Sequence, residues 1–124
     1  MNDDAFTERL ARVRRRFVST LEGRIEDTAA SLPKLGKEAP ASATAVGEAY
    51  RCVHGIVGVG PIVGFPTTGR VAREVEDLLR PAQSDRRGLS DEEISVLRER
   101  LADLRAAATH EMQAFYRDTK VMQE

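Results

Sequence analysis

The stretch "VGEAYRCVHGIVGVGPIV", residues 46–63, decides the fold because its apolar and small residues recur at alternating steps of three and four. The residues on this spacing are Val46, Ala49, Val53, Ile56, Gly60 and Val63. Such steps align side chains along one face of an α-helix and are typical of the buried seam of a helical bundle. The stretch therefore predicts a helix that buries this face against other helices.

Two further segments before and after this stretch show the same helical spacing. The first covers residues from about 4 to 33, and its face consists of Phe6, Leu10, Val13, Phe17, Leu21, Ile25, Thr28 and Leu32. A helix of about 30 residues would span about 45 Å, so we expect a break or a projecting first turn in it. After the predicted turn Gly64-Phe65-Pro66, a third helix has the stripe Val71, Val75, Leu78 and Ala82, and we predict its end near Pro81.

The last helix follows a polar connection and starts with a capping signal. Ser90 precedes Glu93 by three residues, the spacing of a capping box. The helix is predicted to reach about residue 117, with the apolar face Ile94, Leu97, Leu101, Leu104, Ala108, Met112 and Phe115. No segment shows the alternation of a β-strand. We therefore predict an all-α fold, an antiparallel four-helix bundle with an extended N-terminal helix, as a single domain over residues 1–124.

Composition and charge exclude several partners and groups. The formal net charge of −1 over 124 residues gives no overall basic field for nucleic acid, and no apolar run approaches the roughly 18 residues of a membrane span. The lone Cys52 cannot form an internal disulfide, and the N-terminal "MNDDAFTERL" is not a signal-peptide pattern. With two histidines and one cysteine, a metal site is not expected. We expect a cytoplasmic protein that binds neither nucleic acid nor a membrane.

His54 is the candidate functional residue of the chain. It follows the seam residue Val53 by one step, which rotates it about 100° toward the outer face, and Gly58 lies one turn further on. A helical glycine costs about 1 kcal/mol relative to alanine, and unobstructed approach to the imidazole is one physical return. The spacing leaves two interpretations open. His54 is either a displayed reactive group or an ordinary surface residue beside glycines, Gly58 and Gly60, that let neighbouring helices pack closely.

The segment "VHGIVGVGPIVGFPTTGRVAREVEDLL", residues 53–79, resembles the signature of histidine-containing phosphotransfer (HPt) domains, including the phosphorylatable domain of chemotaxis histidine kinases. The matching residues are His54, Ile56, Gly58, Gly64, Phe65, Val75 and Glu76. The resemblance implies a four-helix bundle in which His54 is the phosphoacceptor and Glu76 accepts a hydrogen bond that orients the imidazole. The alternative for Glu76 is a solvated charge on its helix.

Two residues depart from the family pattern. Val57 stands where the family usually has a lysine three residues after the histidine, and Pro61 replaces a small residue. Arg51, one turn before His54, or Arg73 on the third helix could supply the missing cation near the phosphoryl group. Because a proline inside a helix removes the hydrogen bond to the carbonyl four residues earlier, we expect a kink at Pro61.

The resemblance implies a phosphorelay carrier in two-component signalling. His54 would accept a phosphoryl group from the aspartate of a response-regulator receiver domain and return it to another receiver, with a sensor histidine kinase as a further candidate partner. The domain would be a phosphotransfer intermediate rather than a stand-alone enzyme. It would bind no cofactor of its own, since the receiver would supply the Mg²⁺.

Docking residues and two alternative functions complete the predictions. Residues that could form an apolar docking patch beside His54 are Val57, Val59, Pro61 and Ile62. The alternative is that the valines pack against another helix. A helical adaptor of the same fold, which binds receivers or kinases without carrying phosphate, is the second hypothesis, favoured by Val57 and Pro61. The third is an unrelated bundle in which His54 has no role.

Overall fold

The computed structural model describes the backbone of residues 2–123 and the side chains of residues 3–118. Within this range the chain forms five α-helices and one short 3₁₀ helix, and no strand. They are α1 (Asn2–Ala30), α2 (Leu32–Leu35), α3 (Ser42–Val59), the 3₁₀ helix (Gly60–Val63), α4 (Pro66–Ser84) and α5 (Asp91–Gln123). The predicted all-α class is therefore confirmed.

The four long helices form an antiparallel bundle. Helix α1 packs against α3 and α5, and α4 packs against the same two helices, so the four close into a ring. Arg105 of α5 binds Glu26 near the end of α1 at 2.8 Å, while Phe115 of α5 lies under Arg14, nearer the start of α1. Residue numbers therefore rise along α1 as they fall along α5, which is an antiparallel pairing.

The core lies on the helix faces that the spacing predicts. All six seam positions of residues 46–63 are buried, with Val46 and Val53 fully so. Phe65, which follows the 3₁₀ helix, is fully buried and meets the Phe17 ring edge to face at 5.2 Å between centroids. On α4 the buried stripe is centred on Ala72, Val75, Leu79 and Ala82, so the predicted Leu78 is replaced by Leu79 at its centre.

The predicted stripe of the first helix is buried only in its second half. Phe6 is 62% exposed and Val13 is 46% exposed, whereas Leu21 and Ile25 are buried. Arg14 lies level with the turn that joins the 3₁₀ helix to α4, because its guanidinium is 3.2 Å from the position of a Cβ built on Gly64. The turns before Arg14 thus extend past this end of α3 and α4. Of the two predicted alternatives, the projecting start is the one observed, since α1 is continuous over Asn2–Ala30 and a separate short helix, α2, follows it.

Three predicted boundaries are corrected by the structure. Instead of an α-helix kinked at Pro61, the chain changes to a 3₁₀ helix at Gly60, and Gly64 ends it with the positive φ of 92° that favours glycine. Helix α4 begins at Pro66 as predicted but continues past Pro81 to Ser84. Helix α5 continues to Gln123 rather than about 117, because residues 117–123 contain neither glycine nor proline.

The capping box of α5 is formed as predicted. The Ser90 backbone N–H donates to Glu93 Oε1 at 2.9 Å, and the Glu93 N–H donates to Ser90 Oγ at 3.2 Å. The guanidinium of Arg87 also binds Glu93 at 2.9 Å. The hydrogen bond from Arg87 is the main cause that lowers the pKa of Glu93, and the hydrogen bonds with Ser90 lower it further. In the part of the chain that the structure describes, no helix combines the length and apolar character that crossing a membrane requires.

Candidate functional site

His54 lies on the outer surface of α3, in the last two turns of that helix. Its side chain is 64% exposed, although Val53 before it is fully buried. One step along an α-helix is a rotation of about 100°, and this rotation moves the side chain from the core to the boundary between α3 and α4. A partner molecule can therefore reach the imidazole.

Glu76 of α4 binds the imidazole of His54. The distance between His54 Nδ1 and Glu76 Oε2 is 2.6 Å, and the Glu76 side chain is only 5% exposed. The other carboxylate oxygen, Oε1, accepts a hydrogen bond from Arg80 Nη2 at 2.7 Å. Glu76 is therefore a buried carboxylate with a partner on each oxygen rather than a solvated charge on its helix.

These contacts define which imidazole nitrogen is free to react. A carboxylate that also binds a guanidinium accepts hydrogen bonds, so the proton shared with Glu76 belongs to His54 Nδ1. In the neutral imidazole, Nε2 then carries the lone pair. Among the residues that the structure describes, it has no hydrogen-bond partner. The arrangement presents a nucleophilic nitrogen on the surface with its ring held from behind.

Two residues that the sequence reasoning missed complete the surroundings of His54. The Tyr50 ring stacks on the imidazole, with 5.9 Å between the ring centroids and 12° between the planes. The Tyr50 hydroxyl is the main cause that raises the pKa of Arg80 above its usual value, and the charges of Asp77 and Glu76 add to it. The signal that could have found these residues is spacing: Tyr50 lies four residues before His54, and Arg80 lies four residues after Glu76.

The two arginines predicted as substitute cations lie outside this cluster of contacts. Arg51 Nη1 is 3.5 Å from the position of a Cβ built on Gly47, so its guanidinium extends toward the preceding turn of α3, away from His54. Arg73 is exposed on α4, and no residue in the described part of the chain pairs with it. The cation that the structure brings to the histidine site is Arg80.

The sequence left open whether Gly58 and Gly60 serve close packing of the helices or access to His54, and the structure gives a different answer for each glycine. A Cβ built on Gly58 would meet nothing within 4 Å, so this glycine is not needed for helix packing. A Cβ on Gly60 would lie 3.3 Å from the Phe65 carbonyl oxygen and 3.4 Å from Gly69 Cα. Gly60 therefore serves close packing, whereas Gly58 leaves open space one turn beyond His54.

Two of the four predicted docking residues, Val57 and Val59, lie on α3, and the other two, Pro61 and Ile62, lie on the 3₁₀ helix. Val59 is partly buried and, with Val13, Phe17 and Gly55, lines a groove of about 240 Å³ between α1 and α3. Val57 is partly buried against the core. The Pro61 ring lies over Gly69 of α4, where a Cβ would be 2.7 Å from Pro61 Cδ. Ile62 is 68% exposed. The two valines are thus partly buried, whereas Ile62 is largely exposed.

A comparison with protein-family models identifies the chain. The model of the Hpt domain matches residues 12–107, which include the whole His54 site. The chain therefore belongs to the Hpt domain family, whose members carry out histidine phosphotransfer in phosphorelays. Neither the curated proteins nor the solved structures give a match. Within the described residues, no group of three or more histidine, cysteine or acidic side chains could hold a metal ion.

Proposed function

We propose that this protein is a phosphorelay carrier that accepts a phosphoryl group on His54 Nε2 and passes it between response-regulator receiver domains in two-component signalling. The observation that carries the proposal is the exposed imidazole of His54, held through Nδ1 by the buried Glu76, in a chain of the Hpt family. The exchange takes place in the cytoplasm, the compartment that the lone Cys52 favours.

The chemical step is an in-line transfer from a mixed anhydride to a nitrogen. Nε2 attacks the phosphorus of the receiver's aspartyl phosphate, a P–N bond forms, and the P–O bond to the aspartate breaks, which releases its carboxylate. The imidazole becomes positively charged as the P–N bond forms. Glu76, hydrogen-bonded to Nδ1–H, stabilises that charge. The receiver holds the Mg²⁺ that neutralises the phosphoryl oxygens, and the reverse reaction returns the group to another receiver.

Labelled phosphoryl transfer tests this proposal. The protein is mixed with Mg²⁺ and a panel of receivers carrying labelled aspartyl phosphate, beside the variants His54→Gln and His110→Gln. His110 is the chain's other histidine and lies exposed on α5, far from His54 in sequence, so it is a matched control. We expect label on the wild-type chain and on the His110 variant but not on the His54 variant, and we expect it to survive base and be lost in acid.

The same experiment separates the carrier from the adaptor of the same fold. If a receiver binds the chain but no receiver in the panel transfers label to it, the carrier function is refuted and the adaptor is favoured. Label that remains on the His54→Gln variant would likewise refute the assignment of the phosphoacceptor.

A further inference from the structure

Four side chains form a chain of contacts around the imidazole of His54, across α3 and α4. Tyr50 stacks on His54, His54 Nδ1 binds Glu76, and Glu76 binds Arg80. The Tyr50 hydroxyl also raises the pKa of Arg80, in line with the placement of both residues around His54 and Glu76. Two of the four residues come from each helix, at a spacing of four, so the antiparallel packing of α3 on α4 brings both pairs level.

The hydrogen bond to Glu76 fixes one atom of the imidazole but not the plane of the ring. A side chain that is 64% exposed keeps freedom about the torsion next to the ring, and in-line attack requires the Nε2 lone pair to point along the new bond. Tyr50 lies nearly parallel to the imidazole, within 12°, and so removes this freedom on one face. With Nδ1 held and one face covered, the direction of Nε2 is set.

Arg80 fixes the orientation of the Glu76 carboxylate. Glu76 is nearly fully buried, and an ion in that position needs partners on both oxygens. Arg80 Nη2 takes Oε1, which leaves Oε2 for His54, while Arg80 Nη1 is held at 2.7 Å by Asp77. The guanidinium is therefore fixed from two sides, and its positive charge offsets the carboxylate that would otherwise face an incoming phosphoryl group. Val57 provides no such charge on α3.

We propose that Tyr50 and Arg80 are positioning residues for phosphoryl transfer: Tyr50 sets the plane of the His54 ring, and Arg80 orients and neutralises Glu76. The inference rests on the proposed function but concerns the free protein, so its central test does not need a receiver. Because Tyr50 packs partly against the core and Glu76 is buried, loss of stability alone would not separate this role from a structural one. The tests therefore measure the tautomer of His54 and the rate of transfer.

The first test measures the tautomer of His54 by nitrogen NMR on protein labelled with ¹⁵N-histidine, at a pH where the imidazole is neutral. The variants are Tyr50→Ala, Tyr50→Phe, Arg80→Ala and Arg80→Lys. Arg70→Ala and Tyr116→Ala are matched controls, since Arg70 is exposed on α4 and Tyr116 is exposed on α5. We expect Nδ1–H alone in the wild-type chain, in both controls and in both Tyr50 variants, where Glu76 still binds Nδ1. We expect a mixture of tautomers in Arg80→Ala, where Glu76 loses its second partner, and partial rescue in Arg80→Lys.

The second test measures the rate of label transfer for the same variants. We expect a fall of roughly 10-fold for Tyr50→Ala and Arg80→Ala, because misorientation of a reacting group costs one to two orders of magnitude. A single tautomer and an unchanged rate in both alanine variants would overturn the inference. So would a tautomer mixture without any loss of rate. If the wild-type chain accepts no label, the proposed function fails, and the NMR result alone still decides whether Arg80 orients Glu76 toward the imidazole.

Discussion

At the scale of single residues, Gly58 and Val57 are two neighbours of His54 along α3 that bear on the proposed transfer. Gly58 leaves open space beside His54 that the folded chain does not use. Val57, three residues after His54, packs partly against the core and brings no charge to the site. The cation of the site is therefore Arg80, bound to Glu76 behind the imidazole, rather than a lysine next to His54.

Replacing Gly58 separates folding from access by a partner. We expect Gly58→Ala to raise the free energy of unfolding by about 0.5–1 kcal/mol, since the added methyl meets nothing and alanine favours the helix. Gly58→Leu should slow transfer from a receiver at least several-fold, yet leave phosphorylation by the small donor phosphoramidate unchanged. Gly23→Leu is the control, because a Cβ on Gly23 of α1 also meets nothing within 4 Å. Equal transfer rates for both leucine variants would contradict this role of Gly58.

Placing the family's lysine at position 57 tests whether the site lacks a cation. Since Arg80 already pairs with Glu76, we expect Val57→Lys to change the rate of label transfer less than about threefold. Val59→Lys controls for the loss of packing, because Val59 is also partly buried on α3. A rate of label transfer ten or more times higher in Val57→Lys would contradict this expectation. It would show that the site lacks positive charge, and it would favour the adaptor, which binds receivers without carrying phosphate.

At the scale of elements, α4 is held at its start by another helix. None of its own side chains caps its N-terminus; instead Glu111 of α5 accepts hydrogen bonds from the backbone N–H of Thr67 at 3.2 Å and of Thr68 at 2.6 Å. It also accepts one from the buried Thr68 hydroxyl at 2.6 Å. Because α4 carries Glu76 and Arg80, this cap contributes to the placement of the His54 site.

Removing this cap should destabilise the bundle. We expect Glu111→Ala to lower the free energy of unfolding by about 1–2 kcal/mol, since it leaves two backbone donors and a buried hydroxyl without their acceptor. Urea unfolding measures the change. Glu99→Ala, at an exposed position of the same helix, is the control and should change stability little. Equal effects of the two variants would exclude a capping role for Glu111.

The capping box of α5 predicts a pH dependence with a definite sign. The pKa of Glu93 is lower in the folded chain than its ordinary 4.5, so its charge stabilises the fold above that pH, and this contribution is lost as the pH falls through the folded value. Glu93→Gln keeps an oxygen for Ser90 but loses the charge that binds Arg87. Its unfolding midpoint in urea should be below wild type at pH 7 and should converge on it as the pH falls well below 4.5. A difference that persists in acid would contradict the prediction.

At the scale of the whole molecule, the bundle extends beyond residues 12–107, the part of the chain that the Hpt model matches. The Hpt model ends at residue 107, yet α5 continues to Gln123. Beyond residue 107 this helix provides Glu111, which caps α4, and Phe115, whose ring lies 4.8 Å below the Arg14 guanidinium and near Phe65 in the core. Glu111 and Phe115 thus connect α5 to α4 and α1 at this end of the bundle.

A chain that ends at residue 107 should therefore be less stable than the single Glu111→Ala variant. It loses the cap of α4 and the aromatic contacts of Phe115 together. Circular dichroism during urea unfolding compares the two with the wild-type chain. If the shortened chain unfolds at the same urea concentration as Glu111→Ala, Phe115 adds nothing to the stability of the bundle.

The sequence by itself determined the helical class, the buried seam of residues 46–63 and the outward position of His54. These follow from periodicity, which is local, because a residue's place on its helix depends only on the residues counted along it. Only the tertiary structure decided that Tyr50 and Arg80 join the site and that Arg51 and Arg73 do not. Which residues of α4 face His54 depends on the register set by the 3₁₀ helix and the turn at Gly64, and no spacing within a single helix contains that register.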